Sequence, residues 1–358
     1  MLNVYGITLD HTINYGSCLQ TYALHKAITG IELSSGEQCS YQLIPIRTFK
    51  EIAHRTYLQP IIALFRRRFA SFENKHLKFA DLHSLEELPS LNEKADAFVC
   101  GSDVIWNPDF SKNQLAYYLD FARKYKFSYA ASFGKAEIDE EAINVVRKPI
   151  SELNEISVRE KTGADLIMRF FGKTASVVAD PVLLLTRDEW ESVLPGSKQK
   201  KGHIFVYITH LNQTMKEFIV KLKKTTGLKV IYSAYGPKQV ISQGMLLVQT
   251  PQKWLQLLHD AEYVVTNSFH ATVFSVLFRR KFFTVTKNDK DKGINVRMND
   301  FLTEIGLGDR IFSVIPKQLD LSEIAYDDIS RKIETMREQS LEFLRGNLEK
   351  AYFQKTDY

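Results

Sequence analysis

Short apolar runs, rich in β-branched and aromatic residues, stop repeatedly at small or polar residues that precede a helix-like stretch. This punctuation restricts the chain to a parallel α/β arrangement. Leu2 to Leu9 reads as a strand ending at Asp10-His11-Thr12 and the turn-like Asn14-Tyr15-Gly16-Ser17. Leu19, Tyr22, Ala23 and Lys26 to Ile28 then continue at helical spacing. Ala95 to Cys100 runs into Gly101-Ser102-Asp103, and Phe127 to Ala131 into Ser132-Phe133-Gly134. Glu155 to Val158 stops at Arg159, and Ala175 to Val178 at Asp180-Pro181. Parallel strands buried on both faces read in this way, and their ligands collect at the carboxyl edge of the sheet.

At 358 residues the chain exceeds what one hydrophobic core usually organises, so two domains are expected. Arg187 to Lys201, with Pro195 and Gly196, reads as a linker. Strand candidates resume at His203 to Thr209, Lys229 to Ser233, Met245 to Val248 and Tyr263 to Thr266. Amphipathic stretches such as Thr214 to Lys224 and Gln252 to Asp260 lie between them, and Ile324 to Tyr352 reads as helix. The expected division is an N-terminal α/β domain over 1–186 and a second α/β domain over 187–323. A helical segment over 324–358 then packs back on the first. The two Rossmann-like domains face each other across a cleft.

Forty-seven Lys+Arg against 42 Asp+Glu give a formal charge of +5, which favours anionic small molecules or surfaces. No zinc-finger, RNP-type or helix-turn-helix pattern points to nucleic acid. The three cysteines, Cys18, Cys39 and Cys100, are widely spaced and suit a reducing compartment. With no signal-peptide pattern and no long apolar run, we expect a cytoplasmic protein.

Several segments carry groups suited to chemistry. Val264-Val265-Thr266-Asn267-Ser268-Phe269-His270 delivers an imidazole from a strand end to a helix start, where unpaired N–H donors favour an anion. Asn14-Tyr15-Gly16-Ser17 is either an N-capped turn or a loop for an anion or sugar hydroxyl. Gly101-Ser102-Asp103 through Trp106-Asn107-Pro108 suits ring stacking and hydroxyl binding, or else a cap and a core tryptophan. Arg159 is a bidentate clamp for carboxylate or phosphate, or the partner of Glu160 or another acid. Asp180-Pro181 reads as a strand-ending turn. Lys287, Lys290, Lys292 and Arg297 form a basic stretch after His270 that can close over a phosphate or remain solvated. Arg66-Arg67-Arg68, after the apolar run from Tyr57 to Phe65, fits an anionic membrane surface or a solvated helix face.

Taken in order, these blocks resemble the polysaccharide pyruvyl transferase family over nearly the whole chain. The carrying residues are Asn14 to Leu24, Gly101-Ser102-Asp103 through Trp106-Asn107-Pro108, and Tyr129 to Gly134. Ser157-Val158-Arg159-Glu160, Asp180-Pro181 and Val265 to His270 complete the series. The chain departs from the family pattern at Asn267, Ala271 and Val104, where Asp, Gly and Gln are common. The resemblance implies a fold like the two-domain GT-B glycosyltransferases. It implies transfer of pyruvate from phosphoenolpyruvate to a sugar of a capsular, exopolysaccharide or cell-wall glycan precursor, forming a ketal and releasing phosphate.

By the same resemblance His270 and Arg159 match positions treated as functional. A basic residue in the loop after the histidine also matters there, and Lys290 is the candidate, with Arg297 beyond it. On this reading Arg159 fixes the donor's charges and His270 is a general acid or base. Asn14, Tyr15, Asp103, Trp106 and Ser268 are candidate substrate contacts, with the acceptor on the N-terminal side. No metal or organic cofactor is called for, phosphoenolpyruvate being the donor substrate. The glycan acceptor is free or lipid-linked, and the inner face of the membrane is an expected place of contact. Two rival readings remain: a GT-B-like nucleotide-sugar glycosyltransferase, and a non-catalytic carbohydrate-binding protein suggested by Asn267 and Ala271.

Overall fold

The structure is a computed structural model that describes residues 1–9, 13–46, 59–111, 114–196, 202–209, 211–233, 248–286 and 292–356. In the first half, strands β1 (Leu2–Ile7), β2 (Cys39–Leu43), β3 (Ala97–Cys100) and β4 (Tyr125–Ser128) form a parallel sheet ordered β2-β1-β3-β4. The short parallel pair β5 (Ser157–Val158) and β6 (Ser176–Val177) continues from its β4 edge through single bridges, Phe127 to Glu155 and Ala131 to Val158. In the second half, β7 (Ile204–Tyr207), β8 (Val230–Ser233), β9 (Tyr263–Thr266), β10 (Lys281–Val285) and β11 (Ile311–Phe312) form another parallel sheet, ordered β11-β10-β9-β7-β8. Every residue of β3, β4, β7 and β9 is buried, as continuous apolar strands in a covered parallel sheet require.

Helices cover these sheets. In the first half they are α1 (Tyr15–Gly30), α2 (Gln59–His76), α3 (Pro108–Ser111), α4 (Glu140–Ser151) and α5 (Lys161–Phe171). The rest are α6 (Arg187–Ser192), α7 (Gln213–Thr226), α8 (Pro251–His259), α9 (Phe269–Leu277), α10 (Lys292–Ile305) and α11 (Tyr326–Thr356). The architecture is therefore α/β with two Rossmann-like sheets. One apolar cluster is shared by both halves: it joins Tyr15, Phe69 and Trp190 to Trp254 and Phe274. At its centre Tyr15 stacks on Trp254 at 5.3 Å and 7°. The Tyr15 hydroxyl also accepts from the Gln249 N–H at 3.0 Å.

The C-terminal helix α11 returns to the first half. Asn347 accepts from the Tyr125 hydroxyl at 2.9 Å, Ser340 accepts from the Ala179 N–H at 2.8 Å, and Lys355 pairs with Asp96 at 3.0 Å. Among the described residues no helix is long and apolar enough to cross a membrane.

Several elements differ from the sequence expectation. The segment read as a linker opens with α6, whose Thr186 and Glu189 form a reciprocal capping box that the Pro and Lys content downstream had masked. Strand β2 was not expected, because its Ser40 and Gln42 alternate with apolar residues at the sheet edge. Strand β10 follows α9 after only a short turn and escapes notice for that reason. Of the expected strand Met245 to Val248, residues 245–247 lie outside the described residues.

Candidate active site

The carboxyl ends of both sheets converge on one buried cluster of charged side chains. From the first half come Ser17 at the start of α1, Asp103 after β3, Ser132 after β4, Arg159 and Glu160 after β5, and Asp180 after β6. From the second half come Phe269 and His270 in the first turn of α9, after β9, and Arg297 from α10. Thr162 at the start of α5 donates its hydroxyl to Asp300 of α10 at 2.9 Å, which ties the Arg297 helix to the first half.

Arg159 is the hub. Its Nη1 donates to Asp180 Oδ2 at 2.7 Å, its Nη2 lies 3.8 Å from Asp103 Oδ1, and its Nε lies 3.7 Å from Glu160 Oε2. The guanidinium sits 4.5 Å from the Phe269 ring centroid, and that of Arg297 lies 5.7 Å from the same ring. Arg297 Nη1 approaches Asp103 Oδ1 at 3.8 Å. Two guanidiniums are thus held on one aromatic ring, facing three carboxylates.

His270 is 5% exposed, and its Nε2 lies 3.4 Å from Asp180 Oδ2 without the alignment of a hydrogen bond. Its other side rests on α1. A Cβ added to Gly16 would come within 2.3 Å of His270 Nδ1, so only glycine permits this approach. Asp180 also caps the turn that follows it, Oδ1 accepting from the Val182 N–H at 3.0 Å. Ser17 donates to Asp103 at 2.5 Å and Ser132 to Glu160 at 2.6 Å.

The electrostatics follow from burial against pairing. Burial opposes ionisation of Asp180 and Asp103, but the charges of His270 and Arg159 outweigh it and hold both carboxyls below the usual carboxylate range. For Glu160 burial wins, and its pKa is raised despite Arg159 and the Ser132 hydroxyl. Arg159 is held charged against burial by Asp180, Asp103 and Glu160. Burial and the nearby Arg159 lower the pKa of Arg297, so its positive charge is the less well compensated of the two. Among the described residues, buried nitrogens make no hydrogen bond at Arg159 Nε and Nη2, Arg297 Nε and His270 Nε2. A buried donor without a hydrogen bond carries a desolvation cost that an incoming anion offsets.

The structure brings together His270, Arg159, Asp103 and Arg297 from the sequence reading. Ser268 stands beside them at the N-cap of α9, its hydroxyl making no capping bond. Lys290 and Lys287 lie outside the described residues. Trp106, Tyr15 and Asn14 take structural places, the core tryptophan and the N-cap being alternatives that the sequence left open. Trp106 is fully buried, stacked at 6.0 Å on Tyr118 in the core, and does not present its ring to a ligand. Tyr15 is fully buried in the shared apolar cluster, where it packs the two halves together instead of lining a substrate surface. Asn14 is the N-cap of α1, its Oδ1 accepting from the Gly16 N–H at 3.0 Å.

Asp180, read from sequence as a turn residue, is that and also the carboxylate shared by Arg159 and His270. Its only signal was its place after a strand in the ordered series. Asn267 takes the Thr209 N–H at 2.7 Å, while the carboxylate facing His270 is Asp180. An acceptor oxygen suffices at position 267. Glu160, Phe269 and Gly16 owe their positions to tertiary packing that no sequence period encodes.

Comparison with known proteins gives two findings. A model of the family described as polysaccharide pyruvyl transferase matches residues 38–288. Among solved structures, the Staphylococcus aureus MnaA–UDP co-structure is similar at TM-score 0.50 and 13% identity, covering 98% of this chain and 91% of that one. A putative UDP-N-acetylglucosamine 2-epimerase from Listeria monocytogenes is similar at TM-score 0.50 and 10% identity, covering 98% and 90%. At such identities the likeness is one of fold, which is GT-B-like. No curated protein matches the sequence.

Proposed function

Because the chain belongs to the polysaccharide pyruvyl transferase family, we propose that it moves the pyruvyl group of phosphoenolpyruvate onto a sugar of a capsular, exopolysaccharide or cell-wall glycan precursor. The observation that carries this reading is the pair of guanidiniums, Arg159 and Arg297, on the ring of Phe269, with buried donor atoms that make no hydrogen bond among the described residues, beside His270.

Phosphoenolpyruvate carries a carboxylate and a phosphate, and the two arginines supply one fixed cation for each. Asp180 holds Arg159 by one oxygen and faces His270 with the same oxygen. Ketal formation requires one sugar hydroxyl, then a second, to bond to C2 while the C2–O bond to phosphate breaks. One hydroxyl proton ends on the methylene carbon, which becomes a methyl group, and the other leaves with phosphate. His270 is the imidazole of the cluster and the group suited to carry such a proton. The reaction written this way needs no metal or organic cofactor.

The test incubates the protein with phosphoenolpyruvate and a panel of glycan precursors. It follows phosphate release together with the mass of the acceptor. The expected result is stoichiometric phosphate and an acceptor heavier by one pyruvate less water, with His270→Gln slower by roughly 10²–10⁴-fold. Turnover of nucleotide sugars with no phosphate released from phosphoenolpyruvate would show the donor to be wrong.

A further inference from the structure

Helix α2 has two unlike faces. Phe65, Phe69 and Phe72 are buried, Phe69 lying 4.9 Å from the Tyr15 ring and Phe72 lying 5.4 Å from that of Tyr22. Turned outward are Ala63, Leu64, Arg67, Arg68, Ser71 and Lys75, all exposed. Positions 64, 67, 68, 71 and 75 follow helical spacing and lie on one face, which extends about 17 Å from Leu64 to Lys75. Between Gln59 and Lys78 the single acidic residue is Glu73, and it is buried.

The basic stripe continues beyond the helix. Exposed Lys26 of α1 and exposed Lys78 lie close by. After burial, the charges of Lys75 and Lys26 lower the pKa of His76, and those of Lys78 and Lys26 that of His25. Lys26 therefore lies near both imidazoles, with Lys75 near one and Lys78 near the other. At the other end Leu64 is 42% exposed, next to half-buried Ile61 and Ile62. Its side chain offers apolar area that water does not favour.

We propose that this face of α2, with Lys26 and Lys78 beside it, docks the protein on an anionic lipid bilayer. The cations pair with headgroups, and Leu64 with Ala63 enters the headgroup boundary. The exposed leucine favours a bilayer over a soluble acidic polymer, which presents no apolar layer. Docking here also orients the site, because α2 packs on α1 and the first turn of α1 backs onto His270.

Sedimentation with vesicles of phosphatidylcholine alone, or mixed with phosphatidylglycerol, tests this without any assay of transfer. Wild type should bind the mixed vesicles and release from them in high salt. Arg67→Glu with Arg68→Glu should weaken partitioning by roughly tenfold or more. Lys223→Glu with Lys224→Glu on exposed positions of α7 makes the same change in net charge and should leave binding in place. Leu64→Gln, which changes no charge, should weaken it as well. The proposal is overturned if wild type ignores the mixed vesicles, or if the α7 variant loses as much as the α2 variant. Unchanged binding by Leu64→Gln would also overturn it and point to a soluble polyanion. Failure here leaves the assignment of the donor untouched.

Discussion

At the scale of residues, the cluster is held by mutual compensation, and that compensation depends on pH. The carboxyls of Asp180 and Asp103 are held below their ordinary values in the folded protein. They therefore stabilise the fold fully above the unfolded pKa of about 3.9, and this contribution is lost as pH falls through their folded values. Glu160, whose pKa is raised, acts in the opposite sense and stabilises the acid side. Below about pH 4, where the contributions of both Asp residues begin to be lost, urea unfolding midpoints should fall as pH drops further towards about 2. The fall should be shallower in Asp180→Asn. A slope identical in the two proteins would mean that Asp180 is not the depressed group.

Gly16 gives a second prediction. Since a Cβ there meets His270 at 2.3 Å, Gly16→Ala should displace the imidazole. It should cost about 10²-fold in turnover, as ångström-scale misplacement of a reacting group does. Far-UV circular dichroism should remain unchanged. Full activity would show that the contact does not position His270.

At the scale of elements, what was legible in the sequence was what depends on local pattern. Runs such as Ala97 to Cys100 and Tyr263 to Thr266 are buried on both faces, so their apolar character shows without any partner. The N-cap at Asn14 follows from local chemistry too, and the structure adopts it. Trp106 and Tyr15 pack in the apolar core, and burial of an aromatic beside a polar loop is decided by tertiary packing. Arg159 and His270 were legible as strand-end groups, but Asp180, Glu160 and Arg297 converge on them only when separate elements fold together.

Tyr15 tests how much one helix start joins the two halves. Tyr15→Ala removes a stacked ring and its hydroxyl bond and should cost about 3–5 kcal/mol, comparable to other aromatic truncations. Tyr15→Phe, which keeps the ring but leaves the Gln249 N–H without that partner, should cost about 1–3 kcal/mol. Equal losses in the two variants, read by urea unfolding, would mean that the stacking on Trp254 contributes little.

At the scale of the whole molecule, two parallel sheets bring their carboxyl edges to one place. The charges meeting there come from both halves. Asp180 and Arg159 come from the first, His270 and Arg297 from the second. A site divided in this way binds and reacts only when the halves are held together by the shared core around Tyr15 and Trp254. The GT-B-like fold explains the location of the cluster, and its particular side chains are what the proposed chemistry rests on. The most direct test is calorimetric titration of phosphoenolpyruvate into wild type, Arg159→Ala and Arg297→Ala. Wild type should bind it saturably, with binding lost in Arg159→Ala and weakened in Arg297→Ala. Binding that survives both substitutions unchanged, or is absent from folded wild type, would contradict the assignment of this cluster as the donor site.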